Sequence, residues 1–273
     1  MVNRPPYTLL GQCGAIVDVL NEARFVSGTD CRVLLTGESG VGKTLLAQFI
    51  HENSPRRQRK MLSRSCAGAS QSRLETELFG AGLFERAHGS TLLLVDVGEM
   101  GPRIQARMRR FLEDTDATDV RIISATNRDL LRRSSEPAFS VDLYYRLNVA
   151  HLQIPALRER REDISYLMGY YLTMLSAQFQ LPLCELEPAA LSALEAYRWP
   201  GNIRELREVA QLLARTHAGR VVGVEQLPEM VLAEQRVTPS IELAPVRSSV
   251  AVPVPPVYYQ LVTRGPESFW TSV

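Results

Sequence analysis

Gly37-Glu38-Ser39-Gly40-Val41-Gly42-Lys43-Thr44 fills every fixed position of the pattern G-x-x-x-x-G-K-[ST]. It follows an apolar run, Val33-Leu34-Leu35, that reads as a strand, and it precedes residues 45–50, which read as a helix. In a strand–loop–helix setting this pattern is a phosphate cradle. Its glycines let successive backbone N–H groups turn inward, and the helix N-terminus adds partial positive charge. Lys43 is expected to reach the outer phosphates, and the Thr44 hydroxyl to sit on Mg²⁺. The stretch from Gly37 through Leu45 is therefore expected to hold a nucleoside triphosphate. A glycine-rich turn without a ligand is the plainer alternative, and complete filling of the pattern in this setting weighs against it.

The chain's 273 residues suffice for one large domain or two modest ones. Hydrophobic content of 45% and charged content of 22% are those of an ordinary soluble protein, and a net charge of +1 gives no global electrostatic footprint for nucleic acid or membrane. Cys13, Cys31, Cys66 and Cys184 form no C-x-x-C pair and have no histidine at ligand spacing. Free thiols in a reducing compartment are expected rather than disulfides or zinc. Neither a signal-peptide core nor an apolar run of about 18 residues occurs, which points to a cytoplasmic protein with no membrane role.

Apolar residues recur at helical spacing over 15–25 and stop at Ser27-Gly28. The helix after the cradle should end at Asn53-Ser54-Pro55. A short strand over 61–66 and a helix over 72–79 follow. Residues 91–97 are nearly all apolar, as a strand buried on both faces should be. Pro102 starts a helix reaching about residue 114, and 120–125 and 149–154 are further strands. This alternation predicts an α/β fold with a doubly wound parallel sheet over residues 1–156. Over 157–233 only helices are expected, at 162–178, 188–197 and 202–215, as a small helical domain. Beyond it prolines gather (Pro239, Pro245, Pro253, Pro255, Pro256), so 234–273 reads as a linker running into the start of a truncated C-terminal domain.

Eight blocks carry a resemblance: GESGVGKT, IHENSPR, LETELFG, FERAHGSTLLLVDVGEM, VRIISATNRDL, DLYYRLNV, IPALRERREDI and WPGNIREL. In this order, over residues 10–232, they resemble the central AAA+ domain of bacterial enhancer-binding proteins, the sigma-54-dependent transcription activators. The resemblance implies a P-loop AAA+ sheet with a C-terminal helical lid. It implies hexameric rings, ATP hydrolysis between subunits, and remodelling of RNA polymerase that carries sigma-54. It further implies that Lys43 and Thr44 contact phosphate and Mg²⁺, and that Asn127 senses the γ-phosphate. Arg204 is then the lid arginine, and Arg146 the arginine that reaches a neighbouring subunit's ATP. On residue type alone, Arg146 and Arg204 read as surface ion pairs.

Five departures from the family pattern stand beside these matches. Only Ala81-Gly82-Leu83 occupies the place of the long GAFTGA-bearing insertion that touches sigma-54. A second pore-facing hairpin is reduced to residues 113–119. The Asp-Glu pair that closes the buried strand becomes Val95-Asp96, an Asn before Cys66 becomes Ser65, and the first interface arginine becomes Ser140. An Asp at that strand end helps hold Mg²⁺, and the following Glu polarises the attacking water. Val95 supplies neither function; Asp96 keeps a carboxylate one methylene shorter and is the remaining candidate for both metal and catalysis. A misplacement near 1 Å costs roughly 10²-fold in rate. The expectation is retained ATP or ADP binding with slow or absent hydrolysis.

Three functional classes remain open at this point. The leading one is a nucleotide-controlled module of a sigma-54-type regulator, acting on polymerase or within rings, either homo-oligomeric or mixed with an intact relative. The others are an active ATPase that uses Asp96, and a non-enzymatic interaction protein or degenerate fragment. DNA is an expected partner only through a further C-terminal domain. Basic clusters at 56–60, 107–110 and 158–161 read as solvated surface or ion pairs rather than a nucleic-acid patch, given the neutral overall charge. His51, His88, His151 and His217 are isolated in sequence, so no ligand role is expected of them.

Overall fold

The computed structural model describes residues 11–68, 70–80, 82–113, 119–131 and 139–237. Leu10, most of the 113–119 bridge and the proline-bearing residues from 238 onward lie outside the described residues.

Five parallel strands form one sheet in the order β2-β3-β4-β1-β5: β1 Val33–Thr36, β2 Leu62–Ser65, β3 Thr91–Val95, β4 Arg121–Thr126 and β5 Ala150–Gln153. Because successive side chains alternate across a strand, the three inner strands β3, β4 and β1 each feed two cores. Val33, Leu35, Leu93 and Ile123 pack with Ile16, Leu46 and Ile50 of α1 Gly14–Ser27 and α2 Lys43–Glu52. Leu34, Leu92, Leu94 and Ile122 face the other way, against α3 Gln71–Glu75, α4 Leu83–Arg86, α5 Pro102–Glu113 and α6 Val141–Leu147. Burial on both faces explains why β1 and β3 read as nearly continuous apolar runs.

Past a turn at Leu157–Glu159, the chain enters a helical unit built from α7 Glu162–Phe179, α8 Pro188–Ala196, α9 Asn202–Thr216 and α10 Glu229–Val237. Its core centres on Trp199, fully buried, whose Nε1 donates to the Leu194 carbonyl at 2.8 Å. The expectation of helices alone is corrected: two short parallel strands, β6 Glu185–Leu186 and β7 Val221–Val222, pair here. They are two residues each, too short to leave a periodic signature.

Two further corrections bear on the site. The strand expected over 91–97 stops at Val95, because Asp96 takes left-handed backbone angles (φ 57°, ψ 47°) and breaks the ladder. The helix expected over 72–79 is a one-turn α3 running into a π-helical turn, Thr76–Gly80, with only two residues before α4. His51 is buried and bridges the Thr91 hydroxyl (2.9 Å) and the Arg59 carbonyl (2.8 Å), which ties α2 to β3. Among the described residues, no helix is long and apolar enough to cross a membrane.

Candidate functional site

The carboxyl ends of three neighbouring strands come level. Thr36 of β1 pairs with Thr126 of β4, and Ala125 pairs with Val95 of β3. The residues that leave these strands, Gly37, Asn127 and Asp96, therefore emerge side by side at one rim, where ligands of open parallel sheets bind. Asn127 is exposed there.

From β1 the chain turns through Gly37–Gly42 into α2. Gly40 has φ +81°, and a Cβ on it would lie 2.1 Å from the Gly201 carbonyl oxygen; at Gly37 (φ +144°) it would meet the Ile154 carbonyl at 2.7 Å. Only glycine fits either place. Gly42 caps α2 in a left-handed conformation, and its carbonyl accepts from Leu46 N at 3.0 Å, so the helix begins with Lys43, Thr44 and Leu45. The first amides of such a helix have no intrahelical acceptor and carry the positive end of its dipole. Thr44 is exposed on that first turn.

Lys43 folds its ammonium back over the loop and donates to the carbonyls of Gly37 (2.7 Å) and Glu38 (2.8 Å). Burial lowers its pKa, the Asp96 carboxylate pulls it back up, and the Arg204 guanidinium pushes it down again. Both charged groups thus face Lys43. Arg204, in the first turn of α9, also donates to the Ser39 hydroxyl at 3.2 Å. Arg204 thus touches Ser39, and Asp96 and Arg204 lie near enough for their charges to act on Lys43.

At the end of β3 the side chains divide. Val95 packs with the cluster containing Val41, Leu46 and Ile50, on the face of the phosphate loop. An apolar group thus takes the loop-facing direction at this strand end. Asp96 is brought round by its left-handed backbone, and it also raises the pKa of Cys66, which burial pushes up to about 12. The Ser65 hydroxyl accepts from Ala67 N at 3.2 Å and belongs to its own turn. The structure does not bring Arg146 into this group. It lies on α6, half-exposed, with Nη2 donating to Glu113 at 2.9 Å. Ser140 is the N-cap of α6, its hydroxyl accepting from Leu143 N at 3.3 Å, a use to which serine is suited and arginine is not.

Several participants lie in the quoted sequence blocks, but nothing in the sequence marked them as partners of the loop. Arg158, in the turn before α7, holds the Glu38 carboxylate with both terminal nitrogens, at 2.8 and 2.5 Å. Asn202, fully buried, donates to the same carboxylate (3.1 Å) and to the Ser39 carbonyl (3.0 Å). Arg158 first and Asn202 second hold the Glu38 carboxyl well below its usual range, at about 2. The Gly40 carbonyl accepts from Ile203 N at 3.1 Å. On the far side, the buried Arg160 donates to the Val41 carbonyl at 3.3 Å, and buried Asp163 accepts from the amides of Gln12 (2.6 Å) and Cys13 (2.9 Å). These partners stand 119 to 164 residues apart, a separation at which spacing says nothing about contact.

Residues 9–153 match the family model of the sigma-54 interaction domain, and residues 158–242 match that of the AAA+ ATPase lid domain. The regulatory protein AtoC of Escherichia coli is 39% identical over 246 residues, covering 82% of this chain and 53% of AtoC. The DNA-binding transcriptional regulator NtrC of Azospirillum brasilense is 35% identical, covering 80% of this chain and 50% of NtrC. The chain thus spans about half the length of these curated relatives. The crystal structure of NtrX from Brucella abortus in complex with ATP is similar with a TM-score of 0.76 at 32% identity, covering 83% of this chain and 59% of NtrX. The RuvB branch-migration motor of Thermotoga maritima, at 19% identity and a TM-score of 0.56, shares the fold.

Proposed function

Because this chain belongs to the sigma-54 interaction domain family with its AAA+ lid, we propose that it is the ATP-binding module of a transcriptional regulator, one that binds nucleotide and turns it over slowly. The observation that carries this reading is the contrast within one rim. Lys43, Arg204 and the glycine-shaped loop converge as a phosphate cradle, while Val95 turns an apolar side chain toward it. The backbone amides and Lys43 hold phosphate, and the Arg204 guanidinium closes over it from the lid. For Mg²⁺ the available oxygen donors are the Thr44 hydroxyl and Asp96. That set suits an ion which takes few protein ligands and most of its shell from phosphate and water. Bound there, Mg²⁺ would neutralise developing charge on the phosphates, while Asn127 faces the same rim to hold the outermost phosphate. The NtrX crystal structures with ATP and with ADP support the nucleotide assignment.

Residues 1–156 act in this reading as the nucleotide-binding part, 157–233 as the lid, and 234–273 as a linker. The protein works in the cytoplasm as a ring, of its own copies or mixed with a related regulator, with Arg146 turned to the neighbour's ATP. RNA polymerase is the target. The two-residue passage from the π turn to α4 supports a weakened contact to sigma-54. Calorimetry with ATP and Mg²⁺ followed by phosphate release tests the core of the proposal. It expects clear binding and slow release, and no heat on ATP addition overturns it. The charge of Asp96 on Lys43 favours a second reading, an ATPase that uses Asp96. Brisk phosphate release that vanishes in Asp96→Ala would select it.

A further inference from the structure

Glu38 is a variable position of the phosphate-loop pattern, yet it makes more connections than any other side chain of the loop. Its backbone carbonyl accepts from Lys43 Nζ at 2.8 Å. Its carboxylate accepts two bonds from Arg158, at 2.8 and 2.5 Å, and one from Asn202 at 3.1 Å. Arg158 belongs to the turn that leads from the sheet to the helical unit, and Asn202 is the first residue of α9. One residue is therefore gripped at its main chain by the phosphate-binding lysine and at its side chain by two of the residues that attach the lid.

Asn202 makes this grip specific. It is fully buried with left-handed backbone (φ 53°), and each end of its amide is used. Nδ2 donates to Glu38 and to the Ser39 carbonyl, while Oδ1 accepts from Leu157 N at 2.8 Å. An aspartate there would set a second carboxylate against Glu38; a longer amide would not fit a fully enclosed site. Bidentate charge-assisted bonds are the strongest and most directional kind available to an exposed rim, so the Arg158–Glu38 pair fixes an orientation as well as a contact.

We propose that Glu38 is a positioning residue that transmits occupancy of the phosphate loop to the seat of the helical unit. It rests on the nucleotide-binding reading above. Two of the three Lys43 N–H groups are held by the carbonyls of Gly37 and Glu38. Phosphate in the cradle competes for the same ammonium. Release of the Glu38 carbonyl lets its peptide plane turn, and the carboxylate moves with it. Arg158 and Asn202 follow, and with them the turn before α7 and the start of α9. Arg204, two residues beyond Asn202, is thereby brought onto the nucleotide. The coupling is reciprocal, so a lid held by Glu38 also favours phosphate.

The test uses the full chain and the variants Glu38→Gln and Arg158→Gln, singly and together, with ATP affinity by calorimetry and amide exchange at Leu157 and Ile203. Wild type is expected to show ATP-dependent slowing of exchange at both amides. Glu38→Gln should weaken ATP about 5- to 50-fold, inside the usual range of intersite coupling, and lose the ATP-dependent slowing. The two substitutions together should cost little more than either alone, because they break one connection. A residue that only stabilises the fold would instead raise exchange equally with and without ATP. Should Glu38→Gln fail to fold, Arg158→Gln carries the same comparison from the other partner. ATP affinity within twofold of wild type, together with undiminished ATP-dependent protection in either folded variant, overturns the proposal while leaving nucleotide binding intact. No heat with wild type overturns both.

Discussion

Gly40→Ala should unseat the helical unit from the phosphate loop while leaving each part folded. The new methyl would stand 2.1 Å from the Gly201 carbonyl oxygen and 3.3 Å from the Arg204 Cβ. Carbon and oxygen need more than about 3 Å, so the contact must open by roughly 1 Å. That displacement takes the Ile203 N to Gly40 carbonyl bond from 3.1 Å beyond hydrogen-bonding range, and it strains the Asn202 to Ser39 carbonyl bond beside it. Each lost bond is worth about 1 kcal/mol. Holding alanine at φ +81° adds roughly 1 kcal/mol more. About 3 kcal/mol corresponds to ~100-fold faster opening at the Ile203 amide, read by native-state hydrogen exchange. Melting should fall by about 6–12 °C on the scale for a chain of this size. Gly169→Ala is the control: it lies inside α7 with nothing within 4 Å of the added methyl, and should stabilise by about 0.5–1 kcal/mol. Ile203 protection within threefold of wild type in Gly40→Ala would refute the claim that the loop carries the lid.

Lys43→Ala removes the only ammonium of the loop and should abolish the ATP-dependent rise in melting temperature, which in wild type reflects a stabilisation of about 2.7 kcal/mol at 100 Kd of ligand. An undiminished shift would move phosphate binding elsewhere. Val95→Asp restores a carboxylate on the phosphate-loop face and should raise phosphate release by ~10²-fold over both wild type and Val95→Asn. Equal rates in all three, with ATP bound, would clear Val95 of blame for slow turnover. Glu38 has its pKa lowered from 4.5 to about 2 by Arg158 and Asn202. A depressed acid contributes stability that is complete above the unfolded pKa and is lost as pH falls through the folded one. The melting difference between wild type and Glu38→Gln should therefore be constant above pH 5 and shrink between about 4.5 and 2. A difference that grows on acidification would contradict the assigned partners.

The residue string displayed what repeats locally. Continuous apolar runs marked β1 and β3, since a parallel strand covered on both faces has no polar side to show. Glycines and Lys43 marked the cradle, because left-handed turns and a helix start need those residues in that order. The strand ends two residues before the apolar run does, because Asp96 turns left-handed while Val97 continues the run. Arg146 and Arg204, alike as residue types, parted in three dimensions: one pairs with Glu113, the other reaches Ser39.

An α/β sheet, a phosphate loop between its first strand and the next helix, and a second part of helices were legible in the residues alone, though not the short β6–β7 pair within that second part. Those features depend on periodicity and on backbone angles that few residues can adopt. Only the tertiary structure decided that Val95 faces the loop, that Asp96 and Arg204 both act on Lys43, and that Glu38 is held by Arg158 and Asn202. The partners of Glu38 stand more than a hundred positions away, and close approach of that kind comes from packing two units together, while Val95 and Asp96 meet the loop because β3 and β1 end level in one sheet. No local pattern records it.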